Sequence, residues 1–381
     1  MERRAIEPRG DWEARAEEIG FLHHTAGGEP YWAEDRYYAF SEEEVLAIES
    51  ATNELHARCL DAVQHVIDER RYAELALPPH AVPLIERSWD EDDPSIYGRF
   101  DFAFSGGAPK MLEYNADTPT SLLEASVAQW QWLQDRFPNA DQFNSIHERL
   151  IGYWAHLRPY LRGNPLFVSS LPEPEDICTV NYLRDTAEQA GITTRFLPID
   201  EIGWHGDTSR FVADGDAEHP IESIFLLYPW EWMIHEAFAD AIMQTNGRVQ
   251  WIEPAWKMVL SNKGILPILW ELFPDHPNLL PAYREDYLFA PGVEYVQKPL
   301  LSREGANVTL HSAFQQEVST GGDYGEEGFV YQAFAPLPEF DGWHPVVGSW
   351  VIGGEAAGMG IRESRSLITD NLSRFVPHLI D

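Results

Sequence analysis

Between Ser41 and Val66 apolar residues recur at alternating intervals of three and four, through Val45, Ile48, Thr52, Leu55, Cys59, Ala62 and Val66. That spacing is one face of a helix. Ser41 with Glu44 three residues later makes a capping box, so a long structural helix is predicted to start there. The period falls to two between residues 97 and 115. Phe100, Phe102 and Phe104 alternate with Arg99 and Asp101; after a turn at Ser105 to Pro109, Leu112 and Tyr114 alternate with Glu113 and Asn115. This reads as strand, turn, strand, with the aromatic face toward the core. Thr118 and Pro119 open a helix that runs to about Phe137, and another is predicted from near Asp141. PLFVSS (165–170), a helix ending at Gly191 and ITTRFLPI (192–199) form a βαβ-like unit. With ESIFLLYP (222–229) and a helix from near Glu231, it makes a small α/β module from about 160 to 255. Beyond Asn262 a helical stretch leads to strands at YVQKPL (295–300) and FVYQAF (329–334), then to a hairpin over 346–362 turning at Gly353-Gly354. The fold class is therefore mixed, α/β and α+β, with antiparallel sheets at both ends of the chain.

Composition narrows the function classes. The chain has 381 residues, 44% of them hydrophobic, and no apolar run of the length a membrane helix requires. No apolar run follows the basic residues near the amino terminus, so a cytoplasmic location is expected and a membrane partner is not. Cys59 and Cys178 have no metal-binding spacing and are read as core residues. The balance of 62 acidic to 27 basic residues, a net charge of −35, opposes phosphate-backbone binding and excludes nucleic acid as an expected partner. It is compatible with a cationic substrate such as an amine.

The sharpest chemistry lies in the hairpin. If paired residue numbers sum to 214, Asp101 stands opposite Glu113 and Arg99 opposite Asn115, all four on one face. Asp, Glu and Asn oxygens at this spacing suit Mg²⁺, with Arg99 placed to stabilise a transferring phosphoryl group. The bland alternative is a solvated face with cross-strand ion pairs. Lys298 lies in an otherwise apolar strand and either projects to solvent or reaches an anion. With Lys263 and the SREGANV turn (302–308), containing Arg303 and Gly305, it is a candidate phosphate site. Arg362 and Arg365 after a glycine-rich ribbon could bind an anion bidentately or pair with Glu363 at the surface. The P-loop, GxGxxG, GxSxG and HExxH patterns are absent, and His23-His24 lacks a second ligand pair, so no transition-metal site is expected. A glycosidase using Asp101 and Glu113 is a further reading, but it leaves the lysines unexplained.

Together GEPYW (28–32), YGRFDF (97–102), EYNADTPTS (113–121), YPWEW (228–232), EPAW (253–256), NKGILPILW (262–270), QKPLLSREGANV (297–308), YGEEG (324–328) and GIRESRS (360–366) resemble the glutathionylspermidine synthetase-like family of ATP-grasp amide ligases, most closely its short acid–amine ligase members. The resemblance spans nearly the whole chain, in order. It implies a circularly permuted ATP-grasp fold, because the acidic hairpin precedes both lysines. The implied organisation is a helical region with the metal-binding hairpin over 1–160, a small pre-ATP-grasp-like substrate module over 161–255, and the nucleotide-binding region with its lid over 256–381. Asp101, Glu113 and Asn115 match the family's Mg²⁺ ligands. Arg99 and Arg362 match arginines at the reacting phosphate, and Lys263 and Lys298 match lysines that contact ATP phosphates. Arg303 to Gly305 match the mobile cover, while Gln332, Ala333 and Phe334 with Leu367, Ile368 and Thr369 match the adenine pocket. The implied activity is ATP-dependent joining of a small-molecule acid to an amine, with ATP and Mg²⁺ as cofactors. An ATP-binding regulatory module without turnover is the alternative. Amidase activity is not expected, and the threonine that the family places near Glu231 to contact glutathione is absent. Residues 301–307 and 319–328 are expected to move on nucleotide exchange.

Overall fold

The long helix forms as predicted. In this computed structural model, which describes residues 1–26, 28–170, 174–213, 220–312, 318–369 and 373–381, it spans Glu42–Asp68 with the Ser41–Glu44 capping box closed. The predicted face, Val45, Ile48, Thr52, Leu55, Cys59, Ala62 and Val66, is buried. It packs on the back of a five-stranded antiparallel sheet in the order Arg374–Val376, Glu355–Ser364, His344–Ile352, Tyr97–Ala103 and Lys110–Asn115. The antiparallel elements expected separately near the two ends of the chain are thus partly one sheet. Thr52 Oγ1 and Ser349 Oγ lie 2.7 Å apart, and His56 Nδ1 is 3.1 Å from Tyr114 Oη, tying helix to sheet.

The hairpin keeps the predicted register at its open end and loses it toward the turn. Arg99 pairs with Asn115, Phe100 with Tyr114 and Asp101 with Glu113; the register then shifts, and Phe102 pairs with Met111. The extra residue, Leu112, is a bulge. It reverses the expectation for one side chain: Leu112 lines the cavity on the polar face, and Met111 enters the core in its place. Behind them Phe100 stacks on Tyr114 with ring centroids 3.8 Å apart, and Phe102 lies 5.7 Å from Phe100. Gly98 permits this, since a Cβ there would stand 2.7 Å from Tyr114 Oη.

The predicted α/β module is a parallel sheet in the order Gln250–Ile252, Ser223–Leu227, Leu166–Ser169 and Arg195–Pro198, with helix Pro174–Gln189 making the first crossover. It is fastened to the antiparallel sheet by buried charge. The Glu253 carboxylate accepts from the Ile96 and Tyr97 amides at 2.9 and 3.2 Å. Lys257 pairs with that carboxylate and donates to the Tyr97 carbonyl. Burial penalises both ions, raising the Glu253 pKa and lowering that of Lys257. Each is therefore tolerated only beside the other.

Two helices differ from expectation. The one placed near Asp141 begins at Ile146, because Asp141 bridges Ile380 and Asn144 bridges Gly358. The one at Glu231 is a single turn, Trp230–Met233, ended where His235 Nδ1 bonds the Glu231 carbonyl at 2.8 Å. A third sheet, in the order Ala282–Tyr283, Phe329–Ala333, Tyr295–Pro299, Thr309–His311 and Val318–Ser319, faces the hairpin across the cavity described below.

The bulge makes a prediction. Phe102→Ala should lower the unfolding free energy by about 3–5 kcal/mol, the usual cost of emptying a core aromatic site, whereas Leu112→Ala should cost less than about half of that. Urea denaturation of both variants checks it; equal losses would place Leu112 in the core.

Candidate functional site

Alternation along Tyr97–Ala103 sends Arg99 and Asp101 to the face opposite the stacked aromatics, and there they border a cavity of about 670 Å³. Arg99 Nε lies 2.7 Å from Asp101 Oδ1, and Arg362 Nη2, from the strand two places away, lies 2.6 Å from Asp101 Oδ2. The strand between them carries Gly348, which pairs with Asp101. A Cβ at Gly348 would stand 2.9 Å from Arg99 Cδ, so glycine leaves room for the guanidinium. Arg99 also donates to the Thr120 carbonyl at 2.7 Å. Arg99 and Asp101 are nearly inaccessible to solvent. Burial works against the Arg99 cation, but Asp101 outweighs it and raises its pKa.

The lysines face the hairpin. Lys298 Nζ donates to Gln332 Oε1 at 2.8 Å and to the Leu112 carbonyl at 2.9 Å, while Gln332 Nε2 donates to the Met111 carbonyl at 3.0 Å. Lys263 Nζ donates to the Ser302 carbonyl at 2.8 Å and lies 3.1 Å from Glu113 Oε2. Both lysines are buried and aimed at acceptors, which disposes of the surface-cation alternative. Burial pushes Lys298 down to about 8. Burial would raise Glu113, but Lys263 and Lys298 outweigh it and hold the carboxyl at about 2. Asn115 Nδ2 is 3.2 Å from Glu113 Oε1, completing a row of oxygen donors with Asp101.

The expected cover crosses the cavity. Arg303 Nη2 is 2.7 Å from Glu231 Oε1, and Nη1 donates to Thr118 Oγ1. Gly305 has φ +69° and lies so close to the far wall that a Cβ would stand 2.4 Å from the Thr369 carbonyl. The two segments expected to move are joined: Thr320 Oγ1 donates to the Gly305 carbonyl, Asn307 Nδ2 donates to the Gly322 carbonyl at 2.9 Å, and the Tyr324 amide donates to Asn307 Oδ1 at 2.8 Å. Every residue singled out from the sequence for the metal, phosphate, cover and adenine positions lines this one cavity, Ala333, Phe334, Leu367 and Ile368 included. Arg365 does not; it donates to the Asp341 carbonyl at 2.8 Å and lies 4.3 Å over Trp343. Nor does Glu363 pair with Arg362 or Arg365. It is buried between Arg3 and Arg374.

Sequence reasoning passed over Asp117 and the cluster that His23 forms with Glu124 and Glu175. Asp117 accepts from the Trp230 amide at 3.1 Å and is raised to about 7 by burial, with Glu231 adding to the effect. His23 Nε2 lies 2.8 Å from Glu124 Oε1, and Glu175 joins them, with ligand atoms of all three within 4.8 Å of one another. Burial opposes the His23 cation, but Glu124, backed by Glu175, outweighs it and raises the ring to about 10. The histidine is thus half of an internal ion pair. The dipeptide His23-His24 carried no sign of this, since its partners lie about a hundred residues or more along the chain.

Comparison with known proteins adds a family. The family model described as glutathionylspermidine synthase preATP-grasp matches residues 3–381. A Haemophilus influenzae protein that bears the name of an acid–amine ligase is 43% identical over 376 residues, covering 94% of each chain. Trypanothione synthetase of Crithidia fasciculata is 30% identical over 364 residues; the match covers 87% of this chain and 55% of the longer enzyme. Among solved structures, a glutathione synthetase-like effector of Globodera pallida in its apo form shares the fold, with a TM-score of 0.56 at 10% identity over 91% of this chain and 89% of that one. Mixed α/β architecture, one cavity gathering the expected residues, and a family match that runs to the last residue lead to one conclusion: the chain belongs to the glutathionylspermidine synthase family.

Proposed function

We propose that this protein is an ATP-dependent ligase that joins the carboxylate of one small molecule to the amine of another through an acyl phosphate, on an ATP-grasp fold of circularly permuted order. The ligase class follows from the family. The observation that carries the finer reading is the juxtaposition, in one cavity, of the oxygen donors Asp101, Glu113 and Asn115 with the buried cations Lys263, Lys298 and Arg99 and the half-buried Arg362. An all-oxygen donor set fits Mg²⁺. Each Asp101 oxygen keeps lone pairs for an ion beside its arginine contact. When bound, Mg²⁺ would offset phosphate charge.

The chemistry needs activation because a carboxylate has no viable leaving group. Transfer of the γ-phosphoryl group gives an acyl phosphate, which an amine attacks with release of phosphate. In this reading Lys263 and Lys298 orient the phosphates, and Arg99 and Arg362 stabilise charge on the transferring group. Gln332 to Phe334 and Leu367 to Thr369 hold the adenine. The cover around Arg303 and Gly305 excludes water. A glycosidase is disfavoured by the same electrostatics: such an enzyme needs one carboxyl kept protonated, whereas Glu113 is held at about 2 and Asp101 lies between two arginines. Among the described residues no helix is long and apolar enough to cross a membrane. Both cysteines are free and buried, in keeping with a cytoplasmic setting.

A panel of acids and amines screened by mass spectrometry should yield an amide with stoichiometric ADP and phosphate. AMP and pyrophosphate would overturn the acyl-phosphate route, and nucleotide binding without turnover across the panel would favour a regulatory module.

Glu113→Gln should reduce Mg·ATP turnover by about 100-fold or more while leaving the melting temperature within a few degrees of the wild type, because the residue serves the cavity and not the core. Retained turnover with lost stability would reverse that assignment.

Nucleotide affinity should also fall as pH rises above about 8, where Lys298 of the free protein loses its proton. Phosphate raises the lysine's pKa, so binding at pH 9 should take up a proton and affinity should drop by up to about tenfold per pH unit. Calorimetry in buffers of different ionisation enthalpy reads both, and Lys298→Met should abolish the proton uptake.

A further inference from the structure

The phosphate-centred reading leaves cavity-lining carboxylates without a role, and among them Glu175 is set apart by its neighbours. Glu175, near the start of helix Pro174–Gln189, borders the cavity with Ser170 and Tyr228 from the parallel-sheet module. Behind it stands Glu124, 1% exposed, at the first residue of a π-helical turn, Glu124–Ala128, within the helix that follows the hairpin. Such turns interrupt regular helix geometry and recur at functional sites. His23, 13% exposed, closes the group from the amino-terminal segment.

A ligase of this kind has a proton problem. An aliphatic amine is an ammonium ion at neutral pH, with a pKa of roughly 10, and an ammonium nitrogen has no lone pair with which to attack. Asp101 and Glu113 are poorly placed to take the proton, because their oxygens are already engaged by arginine and lysine neighbours. Asp117 is bonded to the Trp230 amide and does not line the cavity. Glu175 differs, since the nearest partners grouped with it are another carboxylate and the histidine already paired to that carboxylate.

We propose, building on the ligase reading above, that Glu175 is the general base that takes the proton from the attacking ammonium, with Glu124 and His23 as the positioning pair that sets its surroundings. The carboxylate accepts one proton from R–NH₃⁺ and becomes neutral. The freed nitrogen lone pair forms the C–N bond at the acyl phosphate carbonyl as the C–O bond to phosphate breaks. The second nitrogen proton leaves with the phosphate as HPO₄²⁻, and the Glu175 proton returns to solvent on product release. The groups facing Glu175 fit this. Burial raises its pKa, Glu124 raises it further, and the Thr120 hydroxyl, His23 and Arg362 lower it. Asp176 lies beside it on the same helix, and Tyr31 and Cys178 stand near the pair.

The test uses hydroxylamine, which is neutral at pH 7 and needs no deprotonation, alongside the amine identified by the substrate panel. Glu175→Gln should slow amide formation from the ammonium substrate by about 100-fold, with hydroxamate formation from hydroxylamine and nucleotide affinity within about threefold of the wild type. The positioning pair should move the acidic limb of the amide-forming pH profile in opposite directions: down in Glu124→Gln, which removes a like charge, and up in His23→Gln, which removes a cation. A structural defect would lower both rates without splitting the shifts. Equal losses with hydroxylamine and the ammonium substrate, an unmoved acidic limb, or an effect of Asp176→Asn in place of Glu175→Gln would overturn the assignment while leaving the ligase intact. Absence of both products in the wild type would remove the ligase reading itself.

Discussion

Strand Tyr97–Ala103 lies second from the edge of its sheet and carries an arginine and an aspartate that are almost wholly removed from water. Two such ions are stable there only because they neutralise each other, and the rest of the site depends on that constraint. Asp101 is held from one side by its own strand, through Arg99, and from the other by Arg362, more than 250 residues away. The contact crosses a strand that offers glycine at the crossing point, so backbone and charge are matched. The same logic repeats one strand over, where Glu113 is balanced by Lys263, with Lys298 adding to the field.

These pairings explain how a strongly acidic protein can hold an anion. Arg99, Lys263, Lys298, Arg303 and Arg362, five of the chain's 27 basic residues, line one cavity. Inside, desolvation strengthens their fields and the surface acids are screened by water. Desolvation also makes the arrangement responsive, because each cation is held by an acceptor that an anion could replace, and each carboxylate by a cation that a metal ion could replace. The loop around Gly305 adds to this balance, since Arg303 is anchored on Glu231 of the parallel-sheet module and on Thr118 beside the hairpin. One guanidinium therefore ties the loop around Gly305 to the segment after the hairpin and to the parallel-sheet module.

Where local rules were sufficient, the expectations hold closely. The helix Glu42–Asp68 and the Asp101–Glu113 register rest on contacts between neighbours in the chain, and both were legible. Leu112 was misplaced because a bulge depends on what the edge strand meets, here the Lys298 ammonium on its carbonyl and the Met111 side chain entering the core. The single turn at Trp230–Met233 and the late start at Ile146 have similar causes, a histidine capping a carbonyl in one case and bridges to the last strands in the other.

By itself the amino-acid sequence singled out residues able to carry chemistry, and most of those residues line one cavity. Alternation assigns a face, and residue type assigns a ligand class, and both are local properties. Only the tertiary structure decided which of these residues share a cavity and in what state of charge. Lys298 is lowered by burial, Glu113 is depressed by two lysines, and His23 is kept protonated by Glu124 with Glu175 near. Such shifts arise from desolvation and from charges that approach through space, and neither is encoded at any one position along the chain.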